Sequence, residues 1–266
     1  MFFAIPFPNI DPIIFQIGVL AIRWYSLAYI AGLVFGWMYM KKLAARHPVV
    51  CDQLAVDDFL TWATAGVVIG GRLGMVLFYQ FDYYMAHPSK IIAVWEGGMS
   101  FHGGFLGVVI VSLIFTRKRG ISALRFGDIL GCVSPIGLFF GRIANFINGE
   151  LWGRTADVPW AIVFPTGGPL PRHPSQIYEA LMEGVILFSL LFILSRSEAI
   201  RRRPGMLMGT FIAGYGVARS IGELFREPDN YIGFLAFGTT WGQWLSLPMI
   251  AIGLFFIVRA SRRAPV

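Results

Sequence analysis

Charge is scarce in this chain. Only 14% of its 266 residues are Asp, Glu, Lys or Arg, against about a quarter in an ordinary soluble domain. Cysteine is scarcer still. Cys51 and Cys132 are the two present, and both fall at predicted cytoplasmic-side ends, where thiols stay reduced. A structural disulfide is thereby set aside, and so is a cysteine nucleophile serving an outer face. Met1 to Ile22 has no basic leading region and is broken by Pro6, Pro8 and Pro12, so it does not read as a cleavable signal peptide. Neither a zinc-protease His pair nor a Ser-His-Asp arrangement is found, which leaves metal and serine hydrolysis without support. No internal repeat stands out, which weakens an inverted-repeat transporter.

Apolar residues fill the gap. They make up 56% of the chain, and the mean hydropathy is +0.65. Runs of the roughly 20 residues needed to cross a bilayer occur at about 22–41, 59–80, 98–116, 126–148, 175–195, 206–225 and 241–258. The expected fold class is therefore all-α, a polytopic membrane protein of about seven spans, with 1–266 as a single transmembrane domain. Residues 150–174, rich in proline, form a small external cap between the fourth and fifth spans. Met1 to Gln16, aromatic and proline-rich, reads as an interfacial strip or short amphipathic helix.

Basic residues set the orientation. Alternate loops on one side hold fourteen, including Lys41, Lys42, Arg117–Arg119 and Arg201–Arg203, while the other side holds Lys90, Arg154, Arg172 and Arg226. The positive-inside rule puts the N-terminus outside and the C-terminus in the cytoplasm. The net charge of +7 is thus chiefly a topology signal, with affinity for anionic membrane lipids as a by-product. Basic residues confined to short turns between spans do not suit nucleic acid.

Four arginines remain in or beside spans: Arg23, Arg72, Arg142 and Arg219. An Arg in hydrocarbon costs about 2.5–3.5 kcal/mol even on lenient insertion scales, so each needs a reason. Arg23-Trp24-Tyr25 reads as an aromatic belt with a snorkelling Arg, or with Tyr25 turned inward. Asp57-Asp58 suits the start of the second span. Gly66, Gly70 and Gly74 form a small-residue seam for close helix approach, and Gly70-Gly71-Arg72 is too short for a phosphate loop. Arg72 needs a buried partner. The glycines around His102, from Gly97 to Gly107, suggest broken backbone lining a cavity. Asp128 reads as a helix-start charge, and Pro135 with Gly137 as a kink in the fourth span.

The fourth span ends in Gly141-Arg-Ile-Ala-Asn-Phe-Ile-Asn-Gly-Glu-Leu-Trp-Gly153. Arg142 and Asn145 share a helix face there, one more turn reaches Asn148, and Glu150 sits at the membrane edge. Ser175 is a candidate cap for the fifth span, which Glu179 begins. In the sixth, Tyr215, Arg219 and Glu223 recur every fourth residue along one side, and Arg219 with Glu223 could neutralise each other. The seventh carries no buried charge and looks like scaffold. With the spans running alternately out and in, Tyr25, His102, Arg142, Asn145, Arg219 and Glu223 share the outer half of the membrane. Two guanidiniums with amides suit an anionic, oxygen-rich headgroup, above all phosphate. A phospholipid is the natural ligand. A phospholipid or anionic-solute transporter or flippase is the alternative, although it requires polar residues at both faces and the inner half is sparse.

The stretch from Gly141 to Gly153 resembles the signature of the bacterial prolipoprotein diacylglyceryl transferases, G-R-x-[GA]-N-F-x-N-x-E-x-x-G, at every defined position. Trp24-Tyr25, Gly97 to Gly104, Arg172-His-Pro-Ser-Gln176 and Gly214 to Arg219 with Glu223 are similar to further blocks of that family, in the same order. The resemblance implies an enzyme of the bacterial inner membrane, multi-pass, with its active site facing the outer leaflet. Its partners would be phosphatidylglycerol and a preprolipoprotein signal peptide carrying a lipobox cysteine, and no cofactor or metal is expected. The diacylglyceryl group would pass to the cysteine thiol as a thioether, releasing glycerol phosphate. Carried over by position, the important residues are Tyr25, His102, Arg142, Asn145, Glu150, Gly153, Arg219 and Glu223, with Asn148 and Tyr215 beside them as substrate contacts. In this reading Arg142 and Arg219 stabilise charge growing on the phosphate. His102 is the base or proton acceptor, unless an Arg-stabilised thiolate needs none; thiol to free imidazole is uphill by about 2.7 kcal/mol. Asn145 holds the headgroup, while Glu150 and Glu223 orient the two Arg.

Overall fold

Seven helices of 17 residues or more occur among the described residues of the computed structural model, which comprise 5–264 except 9, 12, 18–19 and 229–232. They are α1 (Trp24–Ala44), α2 (Gln53–Tyr79), α3 (Phe101–Arg119), α4 (Ala123–Ile147), α5 (Ser175–Arg196), α6 (Met206–Gly222) and α7 (Trp241–Arg262). Helix accounts for 70% of the described residues. Five of the seven, α2 to α5 and α7, are long and apolar enough to cross a membrane. The aromatic hydroxyls and indoles of α1 lower its hydropathy, and α6 stops at 17 residues. Large apolar side chains such as Ile30, Phe35, Ile193 and Phe255 lie exposed on the helices. A soluble domain hides such groups; here lipid is the solvent they suit.

The chain forms two compact units, Met1–Met40 with Gly127–Val266, and Lys41–Phe126. In the second unit, α2 begins earlier than the acidic pair suggested. Asp52 is its N-cap and accepts from the Ala55 amide at 2.7 Å. Asp57 and Asp58, one turn later, instead form ion pairs with Lys41 and Arg119. The seam on α2 is as expected, but its partner corrects the reading of His102's neighbours. Gly97 and Gly98 do break the chain, at φ +84° and +73°. From Phe101 onward α3 is regular, and its Gly103 and Gly107 pack backbone to backbone on Gly66, Gly70 and Gly74. Arg72 finds its partner in carbonyls. It donates to Ile91, Ala93 and Gly98 at 2.8, 2.9 and 3.0 Å, and to Lys90 and Gly97. One guanidinium thus holds the second half of the connection between α2 and α3.

In the other unit, α1 packs on α4, where Phe35 stacks on Phe140, and on α5, where Tyr39 meets Ser195 at 3.3 Å. Helix α4 runs through Pro135 without a break in its assigned span. Asp128 is no ordinary helix-start charge. It is buried, and its two oxygens accept the Gly205 and Met208 amides at 2.8 Å each, capping α6 from α4. Helices α6 and α7 lie against each other with Gly209 facing Gly253 and Gly216 facing Ser246. The N-terminal stretch is not an amphipathic helix where it is described. Strands β2 (Ile13–Ile17) and β3 (Leu20–Arg23) form an antiparallel pair, and β1 (Ile5–Pro6) lies parallel to β4 (Ile162–Val163). Residues 1–4, 9 and 12 of that stretch lie outside the described set.

A side chain at Gly70 would collide with the α3 backbone, its Cβ falling 2.8 Å from the Gly107 Cα. Gly70→Val should therefore cost about 1–3 kcal/mol by overpacking and lower the melting temperature in detergent. Gly36→Ala, with nothing within 4 Å of the new methyl, should raise stability slightly, by up to about 1 kcal/mol.

Candidate active site

Three helices of the first unit converge on one ion-pair cluster. Arg142 comes from the C-terminal part of α4, Glu179 and Glu183 from the first three turns of α5, and Arg219 from the last turn of α6. Arg142 directs Nε and Nη2 to Glu183 Oε2, at 3.1 and 3.0 Å. Its Nη1 lies 2.9 Å from Glu179 Oε2, as a charge contact rather than an aligned hydrogen bond. Arg219 donates through Nη1 to Glu179 Oε1 at 2.7 Å, and its Nη2 pairs with Glu223. Arg226 approaches Glu179 Oε1 at 3.8 Å. Both α5 carboxylates are 0% exposed, whereas the guanidiniums keep 14% and 16% of their side-chain surface. The carboxylates are fully enclosed and the guanidiniums nearly so. N–H groups on both Arg142 and Arg219 are taken by no described residue, and these can receive an oxyanion. Tyr215, half-buried on α6, lies within electrostatic reach of Glu183 and both guanidiniums.

A second, amide-rich group adjoins along α4. Asn145 Nδ2 donates to Glu150 Oε1 at 2.9 Å, and Asn148 Nδ2 reaches the same oxygen at 3.3 Å. The chain turns out of α4 through Gly149 and Leu151, both at positive φ. Gln176 then donates to the Glu150 carbonyl at 2.6 Å. Ser175 is not the N-cap of α5; its hydroxyl donates to the Leu151 carbonyl at 3.0 Å. Tyr25 bonds the Tyr29 hydroxyl at 3.2 Å and lies in electrostatic reach of Glu150. Glu150 therefore orients two amides, and the expected orientation of Arg142 by Glu150 gives way to Glu179 and Glu183. The expected partnership of Glu223 with Arg219 is present.

Gly153 is needed for a close crossing. Its amide donates to the His173 carbonyl at 2.9 Å, and a Cβ would strike that carbonyl at 2.6 Å. Arg154 follows, donating through its side chain to the Arg226 and Glu223 carbonyls at 3.0 Å each. Arg172 stacks over Trp152 at 3.9 Å. His173 shares a bond with the Tyr178 hydroxyl at 3.1 Å, and burial lowers its pKa below the ordinary imidazole value, so it serves as a neutral link. The fold thus brings together Tyr25, Arg142, Asn145, Asn148, Glu150, Gly153, Tyr215, Arg219 and Glu223 within one unit. His102 belongs to the other unit, as the exposed second residue of α3, with its ring edge-on to Phe101.

Sequence reading passed over three contributors. Glu183 was unmarked, yet two carboxylates four residues apart inside a strongly apolar span are a visible signal. Glu179 counted only as a span start. Gly242, in the supposed scaffold helix α7, makes room for Glu223: a Cβ there would overlap the carboxylate.

Residues 12–259 match the family model described as prolipoprotein diacylglyceryl transferase. Among similar proteins is the phosphatidylglycerol–prolipoprotein diacylglyceryl transferase of Paramagnetospirillum magneticum, 59% identical over 264 residues, covering 99% of this chain and 98% of the relative. The protein of the same name from Rhodospirillum rubrum is 56% identical over 268 residues, covering 100% and 98%. That from Azospirillum brasilense is 55% identical over 263 residues, covering 98% of each.

Removing one member of a buried ion cluster strands the others. Glu179→Ala should lower stability by about 3–5 kcal/mol, read as a fall in melting temperature in detergent; an unchanged melt would mean the guanidiniums do not depend on it. Gly242→Ala should push Glu223 off Arg219 and cost about 1–3 kcal/mol in the same assay.

Proposed function

The chain belongs to the prolipoprotein diacylglyceryl transferase family, and from that membership we propose that it transfers the diacylglyceryl group of phosphatidylglycerol to the lipobox cysteine thiol of a preprolipoprotein. The thiol sulfur attacks the glyceryl carbon that bears the phosphate ester oxygen. An S–C bond forms as the C–O bond breaks, and glycerol phosphate leaves with the bonding pair. Negative charge grows on the phosphate, next to Arg142 and Arg219, whose remaining N–H groups receive it. The observation that carries this reading is that pair of guanidiniums, held by fully buried carboxylates and each keeping N–H groups that no described residue takes.

Asn145 and Asn148, fixed by Glu150, hold the headgroup, with Tyr215 and Tyr25 beside them. Glu223 orients Arg219, and Gly153 lets the chain beyond Glu150 cross under His173. His102 accepts the thiol proton, a role resting on the family motif. No bound cofactor enters. The whole chain, 1–266, acts as one transmembrane domain of seven spans, with an outside N-terminus, a cytoplasmic C-terminus and residues 150–174 as an external cap. The basic loops support that orientation. Helix α6, about 26 Å long at 1.5 Å per residue, approaches the 30 Å of a bilayer core. The enzyme works in the bacterial inner membrane with its active site in the outer leaflet, where the lipid and the signal peptide helix both reach it. Family membership disfavours the transporter alternative.

Purified protein mixed with phosphatidylglycerol and a lipobox peptide should yield the diacylglyceryl thioether by mass spectrometry. Arg142→Ala should lower the turnover by at least roughly 100-fold, and His102→Ala by about 10²–10⁴-fold. Wild-type protein that binds lipid but forms no thioether would overturn the assignment, and near-normal turnover in His102→Ala would remove the histidine as base.

A further inference from the structure

The ion cluster is charge-balanced among the described residues. Arg142, Arg219 and Arg226 face Glu179, Glu183 and Glu223. An arriving phosphate diester adds a negative charge to this buried group, and an unbalanced charge in apolar surroundings is costly. Something must compensate. The three carboxylates are not equally held. Glu179 has a guanidinium on each side and a third at 3.8 Å, and Glu223 is paired with Arg219. Glu183 has Arg142 alone, and both of its contacts end on Oε2. Its Oε1 is buried and has no hydrogen-bond partner among the described residues.

We propose, resting on the transferase reading, that Glu183 is a positioning residue that takes up a proton as the anionic headgroup binds, freeing Arg142 for the phosphate, and returns it when glycerol phosphate leaves. The proton comes from solvent on lipid binding and goes back to solvent on product release. It is separate from the thiol proton, so the reaction's own balance is unchanged. The groups that bear on Glu183 are Arg142 from α4, Tyr215 and Arg219 from α6, and Glu179 from α5 itself. Two cations and one acid remain close whichever state Glu183 adopts. Protonation removes the carboxylate that competes with phosphate for Arg142, so the lipid binds more tightly as pH falls.

Calorimetry tests this with dihexanoylphosphatidylglycerol, a diester whose charge is constant near neutral pH, titrated into the detergent-solubilised protein in two buffers of different ionisation enthalpy. Wild type should take up close to one proton per lipid bound on the alkaline side of neutrality. Glu183→Gln, which keeps an oxygen for Arg142 but no charge, should take up none. Its KM for phosphatidylglycerol should be independent of pH and roughly tenfold lower than the wild-type value at alkaline pH, whereas a residue with only a packing role would leave the pH profile as it is. Absence of proton uptake by wild type, or equal uptake by Glu183→Gln, overturns the proposal. If the variant fails to fold, the wild-type proton count decides by itself. Thioether formation is read in the same wild-type samples. Its absence would sink the transferase reading, while its presence without proton uptake would sink only the role of Glu183.

Discussion

Two carboxylates with no exposed surface hold the site's arginines, and much else follows from that burial. In hydrocarbon a guanidinium without a counterion is expensive, and so is a carboxylate without a donor. Joined across α4, α5 and α6, they remove each other's penalty and fix three helices at one level. Glu179 and Glu183 fix both guanidiniums yet leave N–H groups on each that no described residue takes. A donor set held rigid in advance is what preorganised stabilisation of a leaving phosphate requires.

The helices owe their close approach to missing side chains. Gly70 and Gly103 bring α2 onto α3, Gly209 and Gly253 bring α6 onto α7, and Gly184 admits Phe139. Without a hydrophobic effect between apolar helices in lipid, such contacts supply the association energy by packing. Asp128 adds a polar tie where packing would not suffice, since the first amides of α6 need acceptors and lipid offers none.

Much of this was legible beforehand because the membrane makes polarity conspicuous. Arg142, Asn145, Arg219 and Glu223 stood out against apolar runs, and the glycine seam of α2 announced itself by its spacing. Other features were hidden for physical reasons. A glycine needed for close packing and one needed for a broken chain look alike in sequence, so Gly103 and Gly107 were read as the wrong kind, whereas Gly97 and Gly98 were read correctly. Glu183 lay within an apolar span and was outshone by the signature ending at Gly153. Glu150 is visible in the signature, but its partners are amides because the turn at Gly149 carries it back over Asn145 rather than toward Arg142. Strands β2 and β3 depend on pairing with each other, which aromatic and proline content alone does not reveal.

The crossing at Gly153 has a further consequence. Residues 153 and 173 are joined by a backbone hydrogen bond, with Arg154 and His173 bonded in turn at 3.0 Å, so the cap between them is a closed loop whose two ends are already fastened. The entropy of closing such a loop grows only slowly with its length. The exposed turn at 168–170 can therefore gain residues at small entropic cost, provided Phe164, packed on Phe146, and Thr166, which donates to the Gly149 carbonyl, keep their places. A graft for purification or labelling placed at that turn would leave the groups anchored beneath it undisturbed.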